Sequence, residues 1–190
     1  MDLLALSDDP RATLDRLWRD LAAGVVDRRS SYHTPTLATV DADGAAAART
    51  VVLRLADAAT RTVACHTRRD APKVAEVRGH ERVAWHVYDR EAKVQLVASG
   101  AARIEATSPL ADERWAATGE GSRACYRRVA APGGDWSDDV AAESGDGRGR
   151  FAVLACVIDK VDWLFLHHAG HVRWRFAWQA GEWQSRRVAP

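Results

Sequence analysis

Hydrophobic and polar residues change their spacing along the chain, and each spacing predicts a different kind of element. Near the start, apolar residues recur every three or four positions, as in an amphipathic helix: Leu14, Leu17, Trp18 and Leu21. Pro10 suits a first helical turn and Gly24 suits a helix end, so we predict an N-terminal helix over residues 8–24. Shorter stretches of helical character follow Pro72 and Ser108.

Most of the remaining chain is typical of strands, with β-branched and aromatic residues between turn-forming segments. We predict about nine strands, over residues 36–40, 47–55, 61–66, 82–88, 92–107, 151–158, 162–167, 171–178 and 183–188. The fifth is long enough to need a bend near Gly100. Strands and helices do not alternate, which argues against a Rossmann or TIM architecture. The prediction is a mainly β fold, an antiparallel barrel with two or three short peripheral helices.

The length of 190 residues suits a single domain spanning residues 1–190. Residues 131–150 contain five glycines and several acids, so we expect a mobile loop there and not a domain boundary. A hydrophobic fraction of 47% and a net charge of +1 are ordinary for a soluble globular protein. No apolar run approaches the ~20 residues that cross a bilayer, and three widely spaced cysteines fit reduced thiols. We therefore expect a cytoplasmic protein without a membrane span.

One group of residues has the composition of a phosphate site. Arg49 and Arg54 stand at the two ends of the segment Arg49-Thr50-Val51-Val52-Leu53-Arg54. His66, Thr67 and Lys73 follow along the chain, and Lys73 lies at a predicted helix start. A helix N-terminus offers free N–H groups, to which a hydroxyl and an ammonium add. The alternative is solvated surface charge beside a core strand. Because Arg49 and Arg54 are an odd number of residues apart, both can touch one ligand only through a bulge or from the strand's two ends.

Two further strands offer candidate ligand contacts. Gln95 stands among apolar residues, where its amide either binds the edge of a heterocycle or faces solvent. In the strand over 171–178, Arg173 and Arg175 alternate with aromatic residues. The aromatic face suits a core or a dimer interface. It also suits single-stranded nucleic acid, a less favoured alternative because the net charge is only +1. The histidines at 167, 168 and 171 lack further ligands at zinc spacing, so we predict no metal site.

Five short motifs follow one another along the chain: Arg49 to Arg54, His66-Thr67, Pro72-Lys73, Gln95 ahead of Gly100, and the ending Trp183 to Pro190. Their order resembles the pyridoxamine 5'-phosphate oxidase family, whose fold is a flavin-binding split β-barrel. The resemblance implies an FMN cofactor held by Arg49, Thr50, Val51, Val52, Leu53, Arg54, His66, Thr67, Lys73 and Gln95. It also implies that Arg173 reaches the cofactor from a second subunit, in a homodimer with FMN sites at its interface. Eight tryptophans, more than one small core needs, agree with such an interface.

The chain departs from the family pattern where the oxidase binds phosphate. Arg54 replaces a lysine, and Pro72 replaces an FMN-phosphate arginine for which Arg68 or Arg69 is a candidate substitute. In the helix where the family binds the substrate's phosphate with a tyrosine, an arginine and a serine, this chain offers Trp115, Thr118 and Ser122, and the arginine is missing. We therefore expect a related oxidoreductase that transfers a hydride from a small substrate to FMN, with weak or absent activity on pyridoxine or pyridoxamine 5'-phosphate. The alternative is a flavin reductase or a flavin-binding protein without turnover.

Overall fold

The computed structural model describes residues 7–128, 130–134 and 145–190. These ranges contain four α-helices: α1 (Pro10–Val26), α2 (Pro72–Gly79), α3 (Pro109–Ala116) and α4 (Glu120–Arg127). They also contain nine strands: β1 (Thr36–Val40), β2 (Ala46–Thr50), β3 (Leu53–Asp57), β4 (Thr62–Arg68), β5 (Arg82–Asp89), β6 (Val94–Glu105), β7 (Phe151–Phe165), β8 (Val172–Gln179) and β9 (Glu182–Val188). Short 3-10 turns cover Ser31–His33 and Arg148–Arg150. The mainly β fold is confirmed.

All nine strands belong to one antiparallel sheet with the order β2-β1-β5-β6-β7-β4-β3, and β8 pairs with β7 and then with β9. The sheet curls around an apolar core into a barrel. β2 and β3 are the strands at the two ends of this order, although only Val51 and Val52 separate them in the chain. The barrel is therefore split between two consecutive strands. The predicted bend in β6 is a bulge between Ser99 and Gly100.

The structure corrects the limits of three predicted strands. The strand predicted over 47–55 is divided into β2 and β3, because its first part pairs with β1 and its second part pairs with β4. The strands predicted over 151–158 and 162–167 are one strand, β7. The polar residue Asp159 continues in the sheet because its carboxylate accepts a hydrogen bond of 2.7 Å from Arg82 of β5.

Helix α1 begins behind its N-cap Asp9, which accepts hydrogen bonds from two backbone N–H groups of the first turn. The helix continues past its predicted end at Gly24 as far as Val26. A Cβ atom at Gly24 would lie 2.7 Å from the Cβ of Tyr32. The glycine is therefore required for close packing against the following turn and does not end the helix.

Two apolar clusters lie on opposite sides of β4 and β7. The larger fills the barrel and includes Leu37, Leu53 and Cys65. The smaller lies beneath α3 and α4 and comprises Ala64, Ala111, Trp115, Tyr126, Phe151, Val153 and Ala155. Because successive strand residues point to opposite faces, Cys65 faces the barrel and His66 faces the second cluster. This alternation decides where the predicted site residues of β4 lie.

The loop predicted over 131–150 lies partly outside the described residues, which omit 135–144. Its described C-terminal part is tied to β4, since the Arg69 N–H donates to the Arg150 carbonyl at 2.8 Å. Across the described ranges, the helices are too short or too polar to traverse a lipid bilayer.

Candidate functional site

Four polar side chains meet where β1 and β2 pass α2. Arg49 pairs with Leu37 in the β1–β2 ladder, so its side chain shares the barrel side of the sheet. The Arg49 guanidinium donates to a Glu76 carboxylate oxygen at 2.6 Å and to the Thr39 hydroxyl, which in turn donates to the same oxygen. Lys73 precedes Glu76 by one helical turn. We call Thr39, Arg49, Lys73 and Glu76 the Arg49–Lys73 cluster.

Among the described residues, Lys73 is the cation of the cluster without a hydrogen bond of its own, while Glu76 pairs directly with Arg49. In the part of the chain that the structure describes, its ammonium makes no hydrogen bond or ion pair. Burial lowers the pKa of Lys73; the charge of Arg49 acts in the same direction, and those of Cys65 and Glu76 oppose it. A half-buried ammonium beside a second cation is unfavourable unless an anion approaches. The cluster is thus suited to a group such as phosphate.

Thr67 lies on the same face of β4 as Cys65, two residues further along the strand, and is buried. Lys73 and Arg49 both act electrostatically on the Cys65 thiol, although burial dominates and raises its pKa to about 12. The structure therefore places Arg49, Thr67 and Lys73 on one side of β4.

The two candidate substitutes for the missing arginine are engaged elsewhere. Arg68 forms an ion pair with Asp70 at 2.5 Å and donates to the Arg128 carbonyl at 2.8 Å. Arg69 donates to the Gly149 carbonyl at 3.3 Å. The contact of Arg68 with Arg128 holds the C-terminal end of α4, and the contact of Arg69 holds the segment that leads into β7. The Arg49–Lys73 cluster consequently has two cationic side chains and one carboxylate.

Arg54 and His66 lie on the other side of β4, next to α3. The register of β3 and β4 shifts between Leu53 and Leu55, which makes Arg54 a bulge residue. The His66 ring packs edge-on against Phe151 with 4.9 Å between centroids, and its Nε2 has no hydrogen-bond partner among the described residues. Burial, and then the charges of Arg54 and Arg114, lower the pKa of His66 to about 4. We call Arg54, His66 and Arg114 the His66 pocket.

The lowered pKa of His66 predicts a pH-dependent stability. The unfolded chain binds a proton near the ordinary histidine pKa of about 6.5, whereas the folded protein resists protonation down to about 4. The stability is therefore present above pH ~6.5 and is lost as the pH falls toward 4. Urea unfolding should show about 2 kcal/mol lost between pH 7.5 and pH 5 that the variant His66→Phe does not lose. Identical pH profiles of the two proteins would contradict the assignment.

Gln95 and Arg173 lie on the outer face of the sheet. Their strand neighbours Leu96 and Trp174 are buried in the barrel, so alternation directs Gln95 and Arg173 outward. Both residues pair with Leu164 of β7, one from each side. The Arg173 guanidinium makes two hydrogen bonds to the Asp162 carboxylate, at 2.8 and 2.9 Å. A single chain therefore does not bring these two residues to the Arg49–Lys73 cluster.

The middle of the predicted binding motif forms the crossing between the two edges of the barrel. Thr50 ends β2 and is exposed, Val51 and Leu53 are buried, and Val52 is half-buried. Since Val51 and Leu53 face the core, any ligand contact here involves backbone groups or the Thr50 hydroxyl. The crossing also explains how Arg49 and Arg54 come to interact with different faces of β4.

Sequence reasoning missed the acidic partners of the predicted arginines. Glu76 was identifiable in principle, because residues three apart on a helix share a face and Lys73 was already a candidate. Asp162 and Thr39 become neighbours of Arg173 and Arg49 only through strand pairing, which local spacing does not reveal. No group of histidine, cysteine and acidic side chains within the described ranges is arranged to hold a metal ion.

The sequence from residue 25 to residue 162 matches the family model for pyridoxamine 5'-phosphate oxidase. Because the match covers well over half of the chain, the chain belongs to the pyridoxamine 5'-phosphate oxidase family. No curated protein matches the sequence.

Two solved structures share the fold over nearly the whole chain. One is a pyridoxamine 5'-phosphate oxidase-related, FMN binding protein from Nostoc punctiforme, with a TM-score of 0.77, 18% identity, and coverage of 93% of this chain and 96% of that one. The other is PhzG from Burkholderia lata in complex with tetrahydrophenazine-1-carboxylic acid, with a TM-score of 0.76, 20% identity, and coverage of 97% and 96%. At such identities the likeness establishes the split-barrel fold.

Proposed function

We propose that this chain binds FMN and acts as an FMN-dependent oxidoreductase on a small molecule. The observation that carries the proposal is the half-buried Lys73 ammonium, which stands beside Arg49 without a partner of its own among the described residues. A phosphate would supply the missing negative charge. Family membership and a similar structure described as FMN binding make the phosphate of FMN the best candidate.

Arg49, Thr67 and Lys73 would hold the phosphate, because they share one side of β4. Bound FMN supplies a flavin ring that accepts a hydride from a substrate carbon. The His66 pocket contributes positive charge from Arg54 and Arg114 and a neutral imidazole. Because its pKa is near 4, His66 stays neutral at physiological pH and is suited to hydrogen bonding and not to proton transfer.

The purified protein tests this proposal directly. It should be yellow or should take up FMN saturably, and the extracted flavin should have the mass of FMN and not of FAD. The cluster contains one pair of cations, enough for a single phosphate, and the sequence lacks the glycine-rich fingerprint of a dinucleotide site. Extraction of FAD, or a titration in which FMN does not saturate, would overturn the proposal.

The helices over the second apolar cluster favour a substrate other than pyridoxine or pyridoxamine 5'-phosphate. Trp115 is buried against Tyr126 and Phe151, and the Thr118 hydroxyl donates to the Arg114 carbonyl at 2.7 Å. These two side chains are engaged within the helices, so neither stands in for the phosphate-binding tyrosine and arginine of the family. The activity we propose is therefore oxidation or reduction of a different small molecule.

We further propose that two copies of the chain form a homodimer with the FMN sites at the interface. Arg49 and Thr67 face the barrel side, whereas Arg173 and Gln95 face outward, so one copy does not gather all four. An isologous contact would supply Arg173 from the second copy. Gln95 flanks the same Leu164, so the copy that supplies Arg173 supplies Gln95 as well.

Light scattering at several protein concentrations, with and without FMN, tests the dimer. We expect a dimer in which Arg173→Ala weakens FMN binding about tenfold, through loss of a charge-assisted contact. The control Arg175→Ala removes a neighbouring guanidinium that also binds Asp162, at 2.9 Å, and should leave FMN affinity unchanged. A monomer that retains FMN on dilution would refute the shared site, and an unaltered affinity in Arg173→Ala would refute the role of that residue.

The nucleic-acid alternative loses its main support. Trp174 and Phe176 belong to the barrel core, and the Trp174 indole N–H donates to the Ser7 carbonyl at 2.8 Å. These aromatic faces are therefore not accessible to stack on bases.

A further inference from the structure

The Arg49–Lys73 cluster contains a carboxylate that an anion site does not need. The Glu76 side chain is only 10% exposed and accepts hydrogen bonds from Arg49, at 2.6 Å, and from the Thr39 hydroxyl. The same carboxylate acts electrostatically on Lys73. Glu76 thus faces both cations that we assign to the phosphate.

This carboxylate opposes the binding of a phosphate. The phosphate of FMN carries between one and two negative charges near neutral pH, and like charges repel strongly at short range in a partly buried site. Arg49 keeps further N–H donors beyond those that bind Glu76 and Thr39, so a phosphate can still approach it. It would then meet two cations and one anion, and not two cations alone.

The same carboxylate stabilises the protein without its cofactor. Arg49 is 24% exposed, so it loses much of its hydration and gains a charged partner in return. Removing Glu76 would leave Arg49 and Lys73 as neighbouring cations without a counter-charge in the cluster. Stability in the absence of an anion and affinity for an anion are therefore opposed at this position.

We propose that Glu76 is a specificity-determining residue of the cofactor site, which lowers the affinity for a phosphate-carrying flavin while it holds Arg49 and Lys73 in the folded protein. The inference rests on the proposed function, because it assigns the phosphate of FMN to this cluster. Glu76 acts on the phosphate alone, so riboflavin, which has the same ring without a phosphate, should not be affected.

The test compares wild type with Glu76→Gln, which keeps the size of the side chain and removes its charge. In FMN titrations the variant should bind at least about tenfold more tightly, whereas riboflavin should bind equally to both proteins. In phosphate-free buffer the variant should melt at a lower temperature, and inorganic phosphate should raise its melting temperature more than that of wild type. Glu76→Asp, which keeps the charge, should behave like wild type in the flavin titrations.

Glu91→Gln is the matched control, because Glu91 is an exposed residue in the turn between β5 and β6. It makes the same chemical change and should alter neither flavin binding nor the response to phosphate. If Glu76→Gln does not fold, Glu76→Ser removes the same charge with a smaller side chain, and the same titrations apply.

The outcomes separate this inference from the proposed function. Weaker FMN binding by Glu76→Gln would show that Glu76 orients Arg49 for the phosphate, and equal binding would show that it is irrelevant; either overturns the inference. If neither protein binds FMN but phosphate stabilises the variant more strongly, the cofactor assignment fails and the role of Glu76 against phosphate stands. If neither FMN nor phosphate has any effect, both are overturned.

Discussion

Replacing Gly100 by alanine is expected to prevent the barrel from reaching a stable fold. Gly100 lies at the bulge of β6, opposite Ile158 of β7. A Cβ atom there would lie 1.9 Å from the Val157 carbonyl oxygen, 2.7 Å from the Val157 carbonyl carbon and 2.9 Å from the Ile158 Cα. All three atoms belong to the backbone of the neighbouring strand, so a side-chain rotation cannot relieve the overlap.

The expected loss is large because β7 pairs with three other strands. It pairs with β6 along most of its length and also with β4 and β8, so moving its backbone at Val157 breaks contacts on both edges. We expect a loss of about 4 kcal/mol or more, a large part of the roughly 5–15 kcal/mol that stabilises a typical domain. Urea unfolding, or the yield of soluble protein where unfolding cannot be followed, measures the effect.

Gly79→Ala is the matched control for this substitution. Gly79 is the last residue of α2, its φ angle is not positive, and a Cβ atom there would have no neighbour within 4 Å among the described atoms. Alanine is a better helix former than glycine, so the control should be neutral or slightly stabilising. A Gly100→Ala protein within about 1 kcal/mol of wild type would show that the bulge relaxes to admit a methyl group.

The bend at Gly100 illustrates what the sequence reveals about this fold. A strand pattern too long for one straight element, interrupted by glycine, predicts a bend, and the structure has its bulge there. The strand boundaries that were predicted wrongly depend on residues distant in the sequence. Residues 47–55 form a continuous strand pattern, but the crossing at Val51 and Val52 arises because their flanking strands pair with different partners, β1 and β4. Likewise, Asp159 interrupts the apolar pattern of residues 151–167. The strand continues through this residue because Arg82 of β5 binds the Asp159 carboxylate.

For the candidate site, too, local sequence predicts some features, and others depend on residues far apart in the chain. The chemistry of Lys73 follows from its place in the first turn of a helix, which the sequence indicates through Pro72. The odd spacing of Arg49 and Arg54 directs them to opposite faces of a regular strand, and in the structure they interact with different faces of β4, although a crossing and a bulge lie between them. That Arg49 interacts with Glu76, and Arg54 with His66, depends on which face of β4 each approaches. Strand register, which the sequence does not specify alone, decides this.

Reversing the charge of Lys73 is expected to abolish tight FMN binding without unfolding the protein. In Lys73→Glu the phosphate would face two carboxylates and one guanidinium, so we expect FMN affinity to fall on the order of a hundredfold or more. The folded protein without cofactor should tolerate the change, because the charge of Arg49 disfavours an ammonium at this position. A glutamate at this position would carry a charge opposite to that of Arg49.

Three measurements separate a lost phosphate contact from a damaged fold. FMN titration should show the large loss, riboflavin titration should show little change, and the melting temperature without flavin should stay close to that of wild type. The matched control is Arg78→Glu, the same change in net charge at an exposed residue of the same helix, which should leave FMN binding nearly intact. If Lys73→Glu binds FMN as tightly as wild type, the phosphate is held elsewhere, and its assignment to the Arg49–Lys73 cluster is wrong.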